Sequence, residues 1–178
     1  TPMSNDAEIF TAPVICQRET LNPGEAGAID QVAARFVPDA ALKDAPTGVG
    51  FCMAMHREAL QALPEFDTIF GKGYGEEVDW CRKTASAGWR HLGHGGVYVE
   101  HRGGTSFGSA EKAKLVAQNN RIVSDRHDGY DKMVQDFILR DPLAAPRLAL
   151  ALAWAATRQN GRIPVYLAQL GLRCRARS

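Results

Sequence analysis

The spacing of apolar and polar positions changes along the chain and predicts different elements in its successive parts. Residues 1–47 contain five of the nine prolines and scattered glycines, which indicates loops with one short helix at 26–36. The apolar run GVGFCMAM at 48–55 has the length of a buried strand, and we predict a strand there. Two short segments at 90–92 and 97–100, separated by glycines, are predicted to form two more strands.

The clearest helix signal spans residues 76–87. Acids crowd its first turn, bases follow and a glycine closes it, which is the order that the helix dipole and the C-cap favour. These residues are Glu76, Glu77 and Asp79, then Arg82 and Lys83, then Gly88. The side chains expected on the buried face of this helix are Val78, Cys81 and Ala85.

The remaining segments alternate between helices and glycine-rich loops. A short helix at 57–63 is expected to stop before Pro64, and loops are expected at 66–75 and 103–108. From residue 110 onward the pattern becomes helical, and the predicted helices are 110–125, 130–139, 142–157 and 163–170. The sequence therefore predicts α/β structure in residues 1–129, followed by an all-α C-terminal extension in residues 130–178.

Composition and charge narrow the range of partners. The 178 residues are 45% hydrophobic and 23% charged, as in an ordinary globular protein, and a net charge of +1 gives no reason to expect nucleic acid. From residue 140 onward, however, seven arginines face one aspartate, so this tail carries +6 and residues 1–139 carry −5. A basic tail indicates peripheral contact with an anionic surface, such as a membrane leaflet or another domain, or simply a solvated chain end.

The cysteines and the apolar segments bear on localisation. None of the four cysteines forms a C-x-x-C pair, which indicates a reducing compartment. No stretch resembles a signal peptide, and no apolar run approaches the roughly 20 residues of a membrane span. These features predict a cytoplasmic protein that is at most peripheral to a membrane.

Two motifs carry groups that suit catalysis or binding. In GYGEEVDW at 73–80, a glycine-rich turn delivers two adjacent carboxylates to the start of a helix. A carboxylate at the edge of a cleft can remove a proton from a hydroxyl, although acids in a first helical turn are also ordinary capping residues. In VYVEHRGGTSFG at 97–108, a strand ends in His101 and Arg102, whose side chains suit metal or anion binding. A histidine at a strand end is, however, more often structural.

Taken together, these stretches resemble glycosyltransferase family 2, whose members have the GT-A fold. The matching segments are GVGFCMAMHREALQALPEFDTIFGKGYGEEVDWCRKTASAGWR and VYVEHRGGTSFG, and the opening TPMSNDAEIF is similar to a segment that follows the nucleotide-binding part in some members. The likeness spans residues 1–130 and lies in the order of several motifs. It implies a partial GT-A-type fold, a short mixed sheet with flanking helices. It also implies inverting transfer of a hexosyl or deoxyhexosyl group from a nucleotide-sugar donor to a glycan or lipid-linked saccharide.

The resemblance also implies roles for individual residues. Glu77 matches the second acid of a Glu-Asp pair, the general base that deprotonates the acceptor hydroxyl, and glutamate in place of aspartate lengthens its reach. The residues implied in substrate binding are Glu76, Gly48, Gly50, Gly75, Trp80 and Arg102. His101 matches the histidine that approaches the metal or diphosphate of the donor. A divalent metal, Mg or Mn, is expected in the full-length enzyme but is not expected to bind tightly to this chain alone.

The chain departs from the family pattern where the donor should bind. No D-x-D motif precedes Gly48, and there is no room for the β-α-β units that hold the nucleotide. We therefore expect either a piece of a longer enzyme or a natural remnant that does not bind donor alone. Two other functions remain open: a non-catalytic carbohydrate-binding or scaffold module, and a metal-dependent hydrolase that uses His101 with Glu76 and Glu77. The segment QNNRI at 118–122 lacks the tryptophan of processive synthases, which favours non-processive transfer.

Overall fold

A three-stranded mixed sheet lies at the centre of the fold. The structure is a computed structural model that describes residues 1–102 and 109–159, with side chains from residue 113 onward in the second segment. The strands are β1 (Pro2–Ser4), β2 (Leu42–Asp44) and β3 (Leu92–Val99), in the order β1-β3-β2. β1 runs parallel to β3, with Met3 opposite Tyr98, and β2 runs antiparallel to it.

Seven α-helices surround this sheet within the described residues. They are α1 (Glu25–Ala33), α2 (Pro38–Ala41), α3 (Arg57–Ala62), α4 (Glu76–Ser86), α5 (Ser109–Arg126), α6 (Tyr130–Arg140) and α7 (Ala144–Arg158). Two 3-10 turns, Glu8–Phe10 and Thr68–Phe70, precede longer loops. The mixed α/β class is confirmed, and the helices expected at 57–63, 76–87, 110–125, 130–139 and 142–157 are present within three residues at each end. The helix expected at 163–170 and the loop expected at 103–108 lie outside the described residues.

The prediction of two strands separated by glycines is wrong, because β3 is one continuous strand. A Cβ on Gly93 would come within 2.7 Å of the Phe10 ring, and one on Gly95 within 2.6 Å of Pro146 Cβ. Glycine at these positions lets an aromatic ring and the first turn of α7 lie directly against the strand. The glycines therefore mark close packing and do not break the strand.

The prediction of a buried strand at 48–55 is also wrong, because this segment is turn and loop. The N–H groups of its first three residues bond to side chains from distant parts of the chain instead of to a neighbouring strand. Gly48 N–H donates to Cys81 Sγ at 3.3 Å, and Val49 N–H donates to Thr1 Oγ1 at 3.1 Å. These N–H groups therefore have hydrogen-bond acceptors without a neighbouring strand.

Two clusters of buried side chains form the core. The larger cluster joins the sheet side to the C-terminal helices, since Met3, Phe10 and Tyr98 share it with Phe137 of α6 and Leu150 of α7. The residues of α6 and α7 are helical, as predicted, and their apolar side chains belong to the same core as the sheet. The smaller cluster contains Ala59, Trp80 and Cys81, with Met53, Met55, Leu63 and Trp89 packed against it.

The buried face of α4 differs from the expected stripe. Cys81 is fully buried as predicted, whereas Val78 and Ala85 are only partly buried. The other buried positions are Asp79, Trp80 and Thr84. Because α4 lies between the smaller core cluster and α5, it buries two faces, one of them polar.

Across residues 1–102 and 109–159, no helix combines enough length with enough apolar character to cross a membrane. The cysteines in this part of the chain, Cys16, Cys52 and Cys81, are free thiols.

Candidate active site

Glu77 stands in the first turn of α4, and two backbone N–H groups hold its carboxylate. Gly75 N–H donates to Oε2 at 3.1 Å, and Gly50 N–H donates to Oε1 at 3.4 Å. The structure thus brings together three of the residues singled out in the sequence. A carboxylate has about four lone-pair positions, so these two bonds fix its direction and leave acceptor capacity for another group.

The loop that leads into α4 places Glu77 by its backbone conformation. Gly73, Tyr74 and Gly75 have φ values of 116°, 70° and 123°, which turn the chain sharply before the helix begins. At Gly75 the turn also requires space, since a Cβ there would lie 3.1 Å from two carbons of the Phe70 ring. Glycine at positions 73 and 75 therefore suits the backbone conformation that presents Glu77.

Glu77 faces a pocket of about 460 Å³, within the size range of small-molecule sites. The 48–50 segment and the loop before α4 form one side, and α5 and α6 form the opposite side. Its lining residues are Glu8, Gly48, Tyr74, Gly75, Glu77, Val78, Val116, Asn120, Val123, Tyr130, Asp131, Val134 and Gln135. Gly48, Gly75 and Glu77 were expected here from the sequence.

Glu76 precedes Glu77 but has a different environment. Its Oε2 atom is buried and has no hydrogen-bond partner among the described residues. Burial raises the pKa of the Glu76 carboxyl, and the neighbouring charge of Glu77 raises it further, against a lowering bond from its own backbone N–H. Glu76 does not line the pocket, and its role in substrate binding stays a prediction. It packs toward the loop, where a Cβ on Gly73 would lie 3.5 Å from its Oε1.

His101 is held on both its backbone and its ring. Its N–H donates to Asn5 Oδ1 at 2.8 Å, and Asn5 Nδ2 donates to its carbonyl at 3.1 Å. Ring Nδ1 bonds to the carbonyl oxygen of Asp6, which only accepts, so Nδ1 carries the hydrogen. In the neutral ring, Nε2 is then left with a lone pair.

The ring of His101 also connects to the Glu77 side of the site. It stacks on the Phe51 ring, with centroids 4.8 Å apart and planes inclined by 21°. Phe51 directly follows Gly50, whose N–H bonds to Glu77. β3 ends at Val99, so His101 lies two residues beyond the strand and not at its end as expected. Its ring and the Glu77 carboxylate are linked through the consecutive residues Gly50 and Phe51.

The described residues do not by themselves make a divalent-metal site. His101 offers one imidazole nitrogen, and the nearest carboxylate, Asp6, lies 3.9 Å from Nδ1 and is paired with Arg18 at 3.3 Å. Within residues 1–102 and 109–159, no three side chains of His, Cys, Asp or Glu come together as a ligand set. These residues therefore do not fit the expected metal, although His101 has the tautomer that a metal ligand needs.

Trp80 and Arg102 are not brought to the pocket. Trp80 is 4% exposed in the smaller core cluster, and its Nε1 donates to the Leu63 carbonyl at 2.8 Å. The Arg102 side chain is 83% exposed and pairs with Glu100 at 3.1 Å. The geometry thus assigns Trp80 to packing and leaves Arg102 on the surface.

A buried ionic cluster lies behind the site on the opposite side of α4. Asp79 is 1% exposed and accepts from His127 Nε2 at 2.9 Å and Arg126 Nη1 at 3.2 Å, and it also pairs with Lys83. Burial alone would raise the pKa of Asp79, but the bonds from Lys83, His127 and Arg126 outweigh it and lower the pKa. The cluster fixes the start of α4 against the end of α5.

Sequence reasoning missed the wall of the pocket that α5 and α6 provide. The lining positions on α5 are Val116, Asn120 and Val123, and those on α6 are Tyr130, Asp131, Val134 and Gln135. Their helical spacing shows that each set shares one face, but nothing local indicates that this face opposes Glu77.

No protein-family model, no curated protein and no solved structure matches this chain.

Proposed function

We propose that this chain forms the acceptor side of an inverting, non-processive glycosyltransferase of family 2, with Glu77 as the general base. The observation that carries the proposal is the Glu77 carboxylate, held by two backbone N–H groups at the wall of a pocket of sugar-binding size. A general base must be fixed within hydrogen-bond reach of the proton that it removes. The donor is a nucleotide sugar, and the acceptor is a glycan or a lipid-linked saccharide.

The proposed reaction is a single displacement of the nucleoside diphosphate at the anomeric carbon. The acceptor hydroxyl lies in the pocket and donates a hydrogen bond to Glu77. Its oxygen attacks the anomeric carbon of the donor sugar while the bond from that carbon to the nucleoside diphosphate breaks with its electron pair. Glu77 takes the hydroxyl proton, so no covalent intermediate is needed and the anomeric configuration inverts.

Other residues of the chain position this base. Gly50 and Gly75 direct the carboxylate, and burial raises the pKa of the neighbouring Glu76 carboxyl, whose side chain lies against Gly73 of the loop. His101, stacked on Phe51, would face the donor diphosphate. The sequence contains no D-x-D motif, so the proposal assigns no residue of this chain to a donor-bound metal.

The test is a transfer assay on the gene product that contains this chain, using labelled UDP-, GDP-, CDP- and dTDP-sugars and an acceptor extract. We expect Glu77→Gln to abolish transfer, by roughly a hundredfold or more, because an amide cannot accept the proton. Donor binding, measured by calorimetry, should stay nearly unchanged. Glu65→Gln, an exposed loop position, is the matched control and should retain full activity.

The two variants separate the competing functions. Full transfer by Glu77→Gln would overturn the assignment of the base. Saccharide binding without transfer from any donor, in wild type and both variants, would instead support a non-catalytic carbohydrate-binding module.

A further inference from the structure

Helix α6 supplies a distinct part of the pocket wall opposite Glu77. Tyr130, Asp131 and Gln135 line the pocket from the first two turns of this helix, which is anchored by Phe137 in the main core. Asn120 of α5 lies beside them in the same wall. These side chains offer a phenol, two amides and a carboxylate, groups that donate to and accept from sugar hydroxyls.

The pocket has a strongly one-sided charge. Glu8, Glu77 and Asp131 contribute three carboxylates, and its lining in the described part of the chain includes no Lys, Arg or His. The basic residues of α5 and α6 whose side chains are described do not line the pocket: Arg126 bonds to Asp79, Lys132 pairs with Asp136, and Lys114, Arg121 and Arg140 also lie outside the lining. An anionic group entering this space would meet repulsion that no cation in the wall offsets.

Tyr130 lies in the same wall as these carboxylates. Burial raises the pKa of its hydroxyl, and the charges of Glu8 and Glu77 raise it further. The phenol therefore stays protonated at any physiological pH and can donate a hydrogen bond to a sugar oxygen.

We infer that this pocket selects an acceptor saccharide without phosphate or carboxylate groups, and that Asp131 of α6 is a specificity-determining residue. The inference rests on the proposed function, since it concerns the acceptor that Glu77 would deprotonate. A neutral or amino-bearing sugar ring meets hydroxyl and amide partners in the wall. A phosphorylated or uronic acid ring places a second negative charge among three carboxylates, which like-charge repulsion disfavours.

The test measures saccharide binding to the chain by backbone amide shift titration in a low-salt buffer. The probes are methyl β-glucoside as the neutral sugar, glucosamine as the cation, and glucuronic acid and glucose 6-phosphate as the anions. We expect shifts at pocket residues with the neutral and amino sugars, and about tenfold weaker binding or none with the two anions. Added salt should narrow that difference.

Two isosteric variants locate the effect. Asp131→Asn should bring the anionic sugars several-fold closer to the neutral sugar. Asp128→Asn, an exposed acid in the loop before α6 that does not line the pocket, removes the same charge and should leave the preference unchanged.

The outcomes separate the inference from the proposed function. Equal or tighter binding of the anionic sugars at the pocket overturns the inference alone. Equal effects of the two variants overturn the role of Asp131. Absence of shifts at the pocket with every sugar overturns the proposed function as well.

Discussion

The side-chain amide of Asn119 bonds to the backbone of the glycine-rich loop that presents Glu77. Its Nδ2 donates to the Phe70 carbonyl at 2.9 Å and to the Gly73 carbonyl at 2.8 Å, and the residue is completely buried. Both hydrogens of one amide are thus used to close the loop onto α5. This contact makes α5 a support for the base, because Gly75, two residues beyond Gly73, donates directly to Glu77.

Replacing Asn119 should release this loop. Asn119→Ala leaves two buried carbonyl groups without their donor, and we expect it to lower the free energy of unfolding by about 2–3 kcal/mol. Urea denaturation measures this change, and hydrogen exchange at residues 70–75 should show faster opening. Asn120→Ala, the neighbouring exposed position on α5, is the control and should stay within about 0.5 kcal/mol of wild type. Equal losses in both variants would contradict the role of Asn119.

A second prediction concerns Gly75. Gly75→Ala forces a Cβ into a φ of 123° and to within 3.1 Å of the Phe70 ring, so it should destabilise the protein by more than about 1 kcal/mol. Gly27→Ala in α1 is the matched control, since nothing lies within 4 Å of its added Cβ. Alanine is the better helix former, so this variant should stabilise by about 0.5–1 kcal/mol. Thermal unfolding of the two variants measures the loss of stability at Gly75 and the gain at Gly27. A Gly75→Ala variant as stable as wild type would refute the close approach of Gly75 to Phe70.

The features that could be predicted from the sequence have local signals. The bounds of α4 follow from acids at one end, bases later and Gly88 beyond the other end, all between residues 76 and 88. The resemblance in motif order names Glu77, Gly50 and Gly75 as residues of one site, and two hydrogen bonds join them in the structure; their roles in transfer stay predictions.

The features that could not be predicted depend on contacts far apart in the chain. The apolar run at 48–55 resembles a strand in the sequence. Its Gly48 and Gly50 N–H groups bond instead to the distant side chains of Cys81 and Glu77, and no local pattern indicates these acceptors. Strand β1 has three residues, too few to show an alternation, and its partner β3 lies about ninety residues away. The position of Asp131 opposite Glu77 likewise depends on how α6 packs on the core.

The third prediction concerns the ion pair between α1 and α7. Two guanidinium nitrogens of Arg158 bond to Glu25 at 2.8 and 3.2 Å, and these bonds, assisted by Asn22, lower the pKa of Glu25 to about 2 despite its burial. Because the pKa of Glu25 in the fold lies below its unfolded value of 4.5, the ion pair stabilises the fold above that pH. This stabilisation is lost as the pH falls from 4.5 toward 2. Glu25→Gln should therefore reduce stability at neutral pH by about 1.5–3 kcal/mol and flatten the acid side of the profile.

Urea midpoints between pH 2 and pH 7 measure this effect. The exposed Glu58→Gln provides the control, and its profile should follow wild type throughout. Parallel profiles for Glu25→Gln and wild type would show that the pair does not contribute to acid stability.

The last prediction concerns Asp79, the buried acid of the cluster behind the site. Asp79→Asn keeps the shape but removes the charge that Lys83, His127 and Arg126 share, and we expect a loss of about 2–3 kcal/mol at pH 7. Because its pKa is lowered, the stabilisation is present above the unfolded value of 3.8 and disappears as pH falls below it. Wild type and variant should therefore converge in acid.

Asp136→Asn on α6 is the matched control, since its partners Lys132 and Arg140 are 81% and 78% exposed. An exposed pair contributes only about 0–1 kcal/mol, so this variant should stay close to wild type at every pH. Because α4 carries both Asp79 and Glu77, loosening the cluster should also broaden the amide signals of Gly50 and Gly75 in the Asp79 variant alone. Unchanged signals with a full loss of stability would show that the cluster supports the fold without positioning the base.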